Sequence, residues 1–284
     1  MTTAPPALDA LRREIDEIDD AIHDLILRRA EIVREIGRVK TSVASPMLRP
    51  AREAQVLRRL ARRHRGPVPM GVMVRLWREL ITGGSLGLQE NVLVAVYGGE
   101  DGVGCWDLAR DHYGGSVPMR SCRSPGEVVD AVAAGTATVG VLPAPGPGEA
   151  APWWPLLLSD RPNPPRVVVK LPFADRSRSR TAIATAFVVA AMAHEESGED
   201  RTLVALAAKA GADEAGIATA LERVELKGSV LAIAPDKEND TQWRLLELAG
   251  FVGADDRRLA LLAREPGIGR ALTIGGYATP LSGS

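Results

Sequence analysis

The sequence predicts a chain of three folded units. These are an all-α three-helix unit over residues 1–90, an α/β unit over residues 91–198, and an α+β tail of ferredoxin-like order over residues 199–284. Three observations predict this. Apolar residues repeat every seven positions through the first forty residues. After Gln89, short apolar runs alternate with helix-type segments. The tail then reads strand, helix, strand, strand, helix, strand. A length of 284 residues also exceeds what one core usually organises.

The first element is a helix over residues 8–42. Leu11, Ile18, Leu25, Ile32 and Val39 lie seven apart, and Ile15, Ile22, Arg29 and Ile36 follow four residues behind. Together they form an a/d-type seam. At about 1.5 Å per residue such a helix is roughly 50 Å long. A ninety-residue unit cannot cover that length with its own chain, so a helix from a second subunit is expected. A second helix opens at Arg49-Pro50, with proline in the tolerated first turn, and ends near His64. A third carries Met73, Leu76, Trp77, Leu80 and Ile81, and Gly83-Gly84 weaken its end.

Strands are expected at residues 92–96, 117–121, 138–142, 166–171 and 184–190, and helices at residues 106–112 and 125–134. Such alternation indicates an α/β layer. Residues 143–155, rich in Pro, Gly and Ala, read as a loop, and residues 194–200 as a polar linker. The tail elements are residues 202–207, 213–224, 229–234, 242–251, 255–264 and 270–274. Their βαββαβ order is the split βαβ arrangement.

Composition excludes several classes. No apolar run reaches the roughly 20 residues that span a bilayer, and residues 1–10 lack the features of a signal peptide. The expected location is the cytoplasm. Cys105 and Cys122 read as unpaired thiols of a reducing compartment. They and the four histidines, His23, His64, His112 and His194, give no metal-ligand spacing, so no metal or cofactor is expected. Gly98-Gly99-Glu100-Asp101-Gly102 lacks the spacing of a dinucleotide fingerprint and reads as a turn. Residues 1–90 hold 16 Lys and Arg against 12 Asp and Glu, while the remainder is acidic. A mildly basic module suggests an anionic ligand. Nucleic acid is not favoured, because aromatic residues are scarce there and acids interleave with the bases.

Arg29 is the most informative residue. A guanidinium in an apolar seam costs several kcal/mol unless an anion meets it. Two readings stay open: an internal salt bridge to an acid such as Glu53, or a carboxylate-binding site between helices. Lys40 lies eleven residues on, nearly on the same face. It is the only lysine among the first ninety residues, beside fifteen arginines, which fits a site needing a compact point charge. A solvated surface lysine remains the other reading. Arg12 and Lys40 are about 42 Å apart along the helix. One small ligand meets both only if Arg12 enters a partner's site.

These residues carry a resemblance. The run Leu11-Arg12-Arg13-Glu14-Ile15-Asp16-Glu17-Ile18-Asp19, the Arg28-Arg29 pair and Gly37-Arg38-Val39-Lys40 resemble the first helix of the all-helical chorismate mutase family. Residues 49–57 (RPAREAQVL) resemble its second helix and residues 75–81 (RLWRELI) its third. The resemblance covers residues 8–89 and implies an intertwined homodimer. It also implies that Arg29 and the partner-subunit copy of Arg12 hold the substrate carboxylates, that Lys40 bonds the ether oxygen, that Arg52 supports the site, and that Glu53 binds the ring hydroxyl. Arg49 would make a backbone or hydroxyl contact. Gln89 would give a second hydrogen bond to the ether oxygen and Ser85 would line the site. Each stands one place beyond the family's position, a slip that Gly83-Gly84 can absorb.

The chemistry implied is the intramolecular rearrangement of chorismate to prephenate in the shikimate route to phenylalanine and tyrosine. It needs no nucleophile or proton shuttle. Holding the folded conformer lowers the entropic barrier, and fixed positive charge meets the negative charge that builds on the ether oxygen.

Beyond Gln89, residues 94–102 (VAVYGGEDG), 126–132 and 139–143 are similar to a reduced prephenate dehydratase. Ala144-Pro145 replace an expected Glu-Asn-Ser run, and Thr185-Ala186-Phe187 stands where a Thr-Arg-Phe signature belongs. The tail, ending in Gly275-Gly276-Tyr277, resembles an ACT regulatory domain. No dehydratase activity is expected. Two alternatives stand beside the mutase: a non-catalytic regulatory or scaffold partner of an aromatic-pathway enzyme, and an isochorismate pyruvate lyase.

Overall fold

The computed structural model describes residues 8–40, 48–85, 92–99, 104–146, 151–159, 164–174, 185–209, 212–236 and 241–281. Helix α1 (Leu8–Lys40), α2 (Pro50–Arg63) and α3 (Met70–Ser85) form the helical unit. The 33 residues of α1 span about 50 Å, as its heptads imply. It leans on α3 and leaves its seam open: Ile15 is 56 % exposed, Ile22 49 % and Leu25 69 %. Helix α2 starts on Pro50, has the acid Glu53 in its first turn and ends on Arg62 and Arg63, which suit the helix dipole. Helix α3 runs on through Gly83 and Gly84 to Ser85, so the glycines do not end it where their low helix propensity suggests.

The α/β unit starts with β1 (Val94–Tyr97), β2 (Met119–Cys122) and β3 (Val139–Pro143). Both β2 and β3 lie parallel to β1. The crossover helices α4 (Cys105–Tyr113) and α5 (Pro125–Ala133) cover opposite faces. Val94 and Val96 point into the core shared with α4, and Ala95 into that shared with α5, as strand alternation requires. Ser124 caps α5 by accepting from Glu127 N, and the Glu127 carboxylate reaches back to Arg123 N at 2.8 Å. The proline-rich stretch after β3 is more than a loop. It ends in a 3₁₀ turn, Trp154–Leu157. Trp153 and Trp154 are buried there, and Trp153 Nε1 donates to the Pro143 carbonyl at 2.8 Å. Two indoles bury enough apolar area to hold such a segment on the core.

Strand β5 (Ala186–Ala190) pairs antiparallel with β3, and β4 (Arg166–Leu171) pairs antiparallel with the other edge of β5. The tail supplies β6 (Asp200–Lys209), α6 (Glu214–Arg223), β7 (Gly228–Pro235), β8 (Thr241–Ala249), α7 (Arg257–Leu262) and β9 (Ile268–Ala278). All six expected tail elements are present in order. One nine-stranded sheet, β2-β1-β3-β5-β4-β9-β6-β8-β7, runs through both units. Its tail half has the spatial order fourth, first, third, second, and α6 and α7 pack on one face.

The two halves of the sheet meet at β4 and β9 through one register pair, Val167 with Gly275. Gly275 has φ of +122°, and a Cβ there would collide with the carbonyl oxygen and amide nitrogen of Val167. Glycine is required for so close an approach. Beside this joint Tyr277 donates to Glu247, while Lys170 Nζ donates to Glu247 at 3.3 Å and to Tyr277 Oη at 3.1 Å.

The helical unit docks on this sheet. Ala54, Leu57 and Val74 pack with Phe173 in a small core bordered by Trp77, Ala278 and Leu281. Residues 194–200, read from sequence as a polar linker, form a strap along α2. Ser197 and Asp200 are buried in it, because α2 presents arginines rather than apolar groups at this contact.

Candidate substrate site on the helical unit

Arg29 projects from α1 toward α3. Its Nη1 donates to the Leu80 carbonyl at 2.7 Å, and partial burial lowers the guanidinium pKa from its ordinary value. Its observed partner is therefore a backbone oxygen rather than Glu53. Arg12 lies seventeen residues back, about 26 Å along the same helix. It is exposed and bonds Asp9 one turn away at 3.5 Å. Lys40 closes α1 and Ser85 closes α3. Their side chains lie outside what the structure describes, and Gln89 lies outside the described residues.

On α2, Arg49 occupies the N-cap and its Nε donates to Glu195 Oε2 at 3.2 Å. Arg52 is exposed. Arg49, Ala51, Arg52 and Gln55 form one wall of an open cavity of about 300 Å³, and Glu195 and Glu196 of the strap form the other. Glu53 faces the opposite way. Its Oε2 accepts from Arg78 Nη1 at 2.6 Å, with Glu53 17 % and Arg78 5 % exposed. The Arg78 guanidinium also sits over the Phe173 ring at 5.3 Å. Burial pushes the Glu53 carboxyl up and the Arg78 guanidinium down, and their mutual attraction opposes both. Tyr113 and His112 of α4 share this buried surrounding. Burial raises the Tyr113 hydroxyl and, with the Arg78 charge, holds His112 neutral.

The structure thus brings Arg49 and Arg52 to one cavity, sets Arg29 at the contact of α1 with α3, and seals Glu53 between α2, α3 and the lobe. Sequence reasoning missed three participants. Arg78 is one, although it sits four residues after Val74 and three before Ile81, both buried. Arg58 is another: it follows Ala51 and Ala54 on the buried face of α2. The rule that singled out Arg29, a cation in an apolar row, finds both. Glu195 had no such signal. Among the described residues no group of three or more His, Cys, Asp or Glu is arranged to hold a metal ion. No described helix is long and apolar enough to cross a membrane.

Comparison with known proteins decides what the helical unit is. The family model described as chorismate mutase type II matches residues 11–90. Residues 11–90 are a chorismate mutase type II domain. The bifunctional chorismate mutase/prephenate dehydratase of Stutzerimonas stutzeri is 36% identical over 149 residues, 51% of this chain and 40% of that protein. That of Pseudomonas aeruginosa is 34% identical over the same length and the same shares. The chain therefore spans about two fifths of the length of these curated relatives. Among solved structures, prephenate dehydratase from Arthrobacter aurescens in complex with L-Phe superposes at TM-score 0.47 with 13% identity, over 68% of this chain and 93% of that one. In this chain the helical unit is followed by the mixed α/β sheet described above, and α2 packs against its strand β9.

Proposed function

We propose that the protein is a chorismate mutase of aromatic amino-acid biosynthesis, located in the cytoplasm and acting as a homodimer. The observation that carries this reading is the match to the mutase family across residues 11–90, and the cationic residues Arg12, Arg29, Lys40, Arg49 and Arg52 within it support the reading. Arg29 and the partner-subunit copy of Arg12 would hold the two carboxylates, and Lys40 the ether oxygen. Arg49 and Arg52 would border the site, with Ser85 and Gln89 completing it from the end of the third helix. The reaction makes and breaks bonds within one molecule, so the protein's part is restriction to the folded conformer and cationic stabilisation of developing charge. Glu53 would accept from the ring hydroxyl. Its bond to Arg78 uses one of the two carboxylate oxygens.

The dimer is proposed on the open seam of α1, whose isoleucines are about half exposed among the described residues. The chain divides functionally into residues 1–90, 91–198 and 199–284, and only the first unit is assigned chemistry. No dehydratase activity is proposed, because Thr185-Ala186-Phe187 lacks an arginine and Ala144-Pro145 lacks polar groups. The relatives carry both activities in their names, so phenylpyruvate release from prephenate is the direct test of this point.

A second reading, a non-catalytic partner of an aromatic-pathway enzyme, is favoured by the sealing of Glu53 against Arg78. One assay separates the readings: loss of chorismate absorbance with product identification, for wild type and Lys40→Ala. Prephenate is expected from wild type, with a rate loss on the order of 10²-fold or more in Lys40→Ala. Absence of turnover by wild type would leave the non-catalytic reading, and pyruvate as product would make the protein an isochorismate-type lyase.

A further inference from the structure

The cavity beside α2 has an unusual second wall. Arg49, Arg52 and Gln55 belong to the mutase domain, yet Glu195 and Glu196 come from the strap between β5 and β6, far beyond the residues that match the mutase family. We propose that Glu195 is a specificity-determining residue of the substrate site, a carboxylate supplied by the α/β lobe that neutralises Arg49 and weakens attraction of the dianionic substrate. This inference rests on the mutase reading above.

The strap holds Glu195 in place. The amides of Ser197 and Gly198 donate to the Asp200 carboxylate at 2.9 and 3.0 Å, and Ser197 Oγ donates to it at 2.6 Å. The buried Arg58 side chain then ties the strap to α2. It donates to Ser197 O at 3.3 Å, Ser197 Oγ at 2.9 Å and Glu199 O at 2.5 Å. Two residues before this clamp, Glu195 meets Arg49 with the two side chains 33 % and 38 % exposed. A pair this open to water gains little stability from its attraction. Its consequence is for the field in the cavity. A substrate carboxylate approaching Arg52 meets an Arg49 already compensated and a second acid, Glu196, on the same rim. Other ligands would be treated differently: an added amino group gains attraction where a carboxylate loses it.

The experiment uses the full-length protein with chorismate at low ionic strength and compares wild type, Glu195→Gln and Glu195→Lys. KM should fall by about threefold in Glu195→Gln and further in Glu195→Lys, with kcat within about twofold of wild type. The gain should shrink as salt is raised, since exposed charges are screened. A merely structural role would instead lower kcat and melting temperature in both variants and leave no salt dependence, and that result would overturn the proposal. Unchanged KM in both variants would also overturn it while leaving the mutase reading intact. If wild type does not turn over chorismate at all, the mutase reading fails and this inference fails with it.

Discussion

Helices α1 and α2 solve opposite problems. Helix α1 carries a row of isoleucines and leucines and exposes it, whereas α2 carries arginines and buries one of them at 5 % exposure. The seam of α1 is apolar at nearly every a/d position, yet among the described residues it leans on α3 and stays about half exposed. The buried face of α2 contains Ala51, Ala54, Leu57 and Arg58, and its polar member finds acceptors on the strap and on Thr279. The contrast separates two kinds of surface. One is an open apolar seam, which the proposed dimer would cover. The other is written for the chain's own later segments, which is why it can include a charge whose geometry must match fixed acceptors.

The sharpest way to break the α2 side of this contrast is Glu53→Leu. It leaves Arg78 buried without its ion partner and should cost about 3–5 kcal/mol. The double variant Glu53→Leu/Arg78→Leu should recover most of that loss. Urea midpoints measure both, and a single-variant loss below about 1 kcal/mol would contradict a sealed ion pair. Next in size is Arg58→Met, which keeps volume but strands the acceptors of the strap. A loss of roughly 2–3 kcal/mol is expected, with faster amide exchange at residues 195–200.

A smaller effect is expected from pH. Burial holds His112, and more weakly His194, below the ordinary value of 6.5. The unfolded chain therefore binds more protons in acid than the folded one. Stability is full above about pH 6.5 and falls as pH drops toward the folded values. Melting temperature should decline over that window, and His112→Gln should flatten the decline. A profile unaffected by the substitution would show that the ring is not held neutral. Least costly to the chain is Ile15→Glu/Ile22→Glu on α1. Both positions are half exposed, so stability of the single chain should change by no more than about 0.5 kcal/mol. Sedimentation should nevertheless shift from a two-chain to a one-chain mass. A wild type that already sediments as one chain would remove the dimer from the proposed function.

Elements governed by local pattern were legible in the sequence. The heptads gave α1, and Pro50 marked the start of α2. The strand and turn signals of the tail gave its βαββαβ order. The apolar runs did not reveal that the tail and the lobe share one sheet, because the joint depends on a single close approach at Gly275. The candidate site was legible only where one helix specifies it. Arg29 stood out by its place in the seam. The pairing of Glu53 with Arg78 joins two helices, and that of Arg49 with Glu195 spans 146 positions. No periodicity within an element carries such a distance.

The clamp on Arg58 also has a meaning in time. Its acceptors are contributed 139, 141 and 221 residues after it. At ordinary synthesis rates the last of them emerges roughly ten to forty seconds after the arginine does. Through that interval the mutase helices exist without their anchor, and the α1 seam is already available to another nascent or finished chain. In the proposed dimer, pairing between subunits would therefore precede closure within each one. A nascent dimer would then set the order of assembly, with the sheet arriving last to fasten α2 from behind.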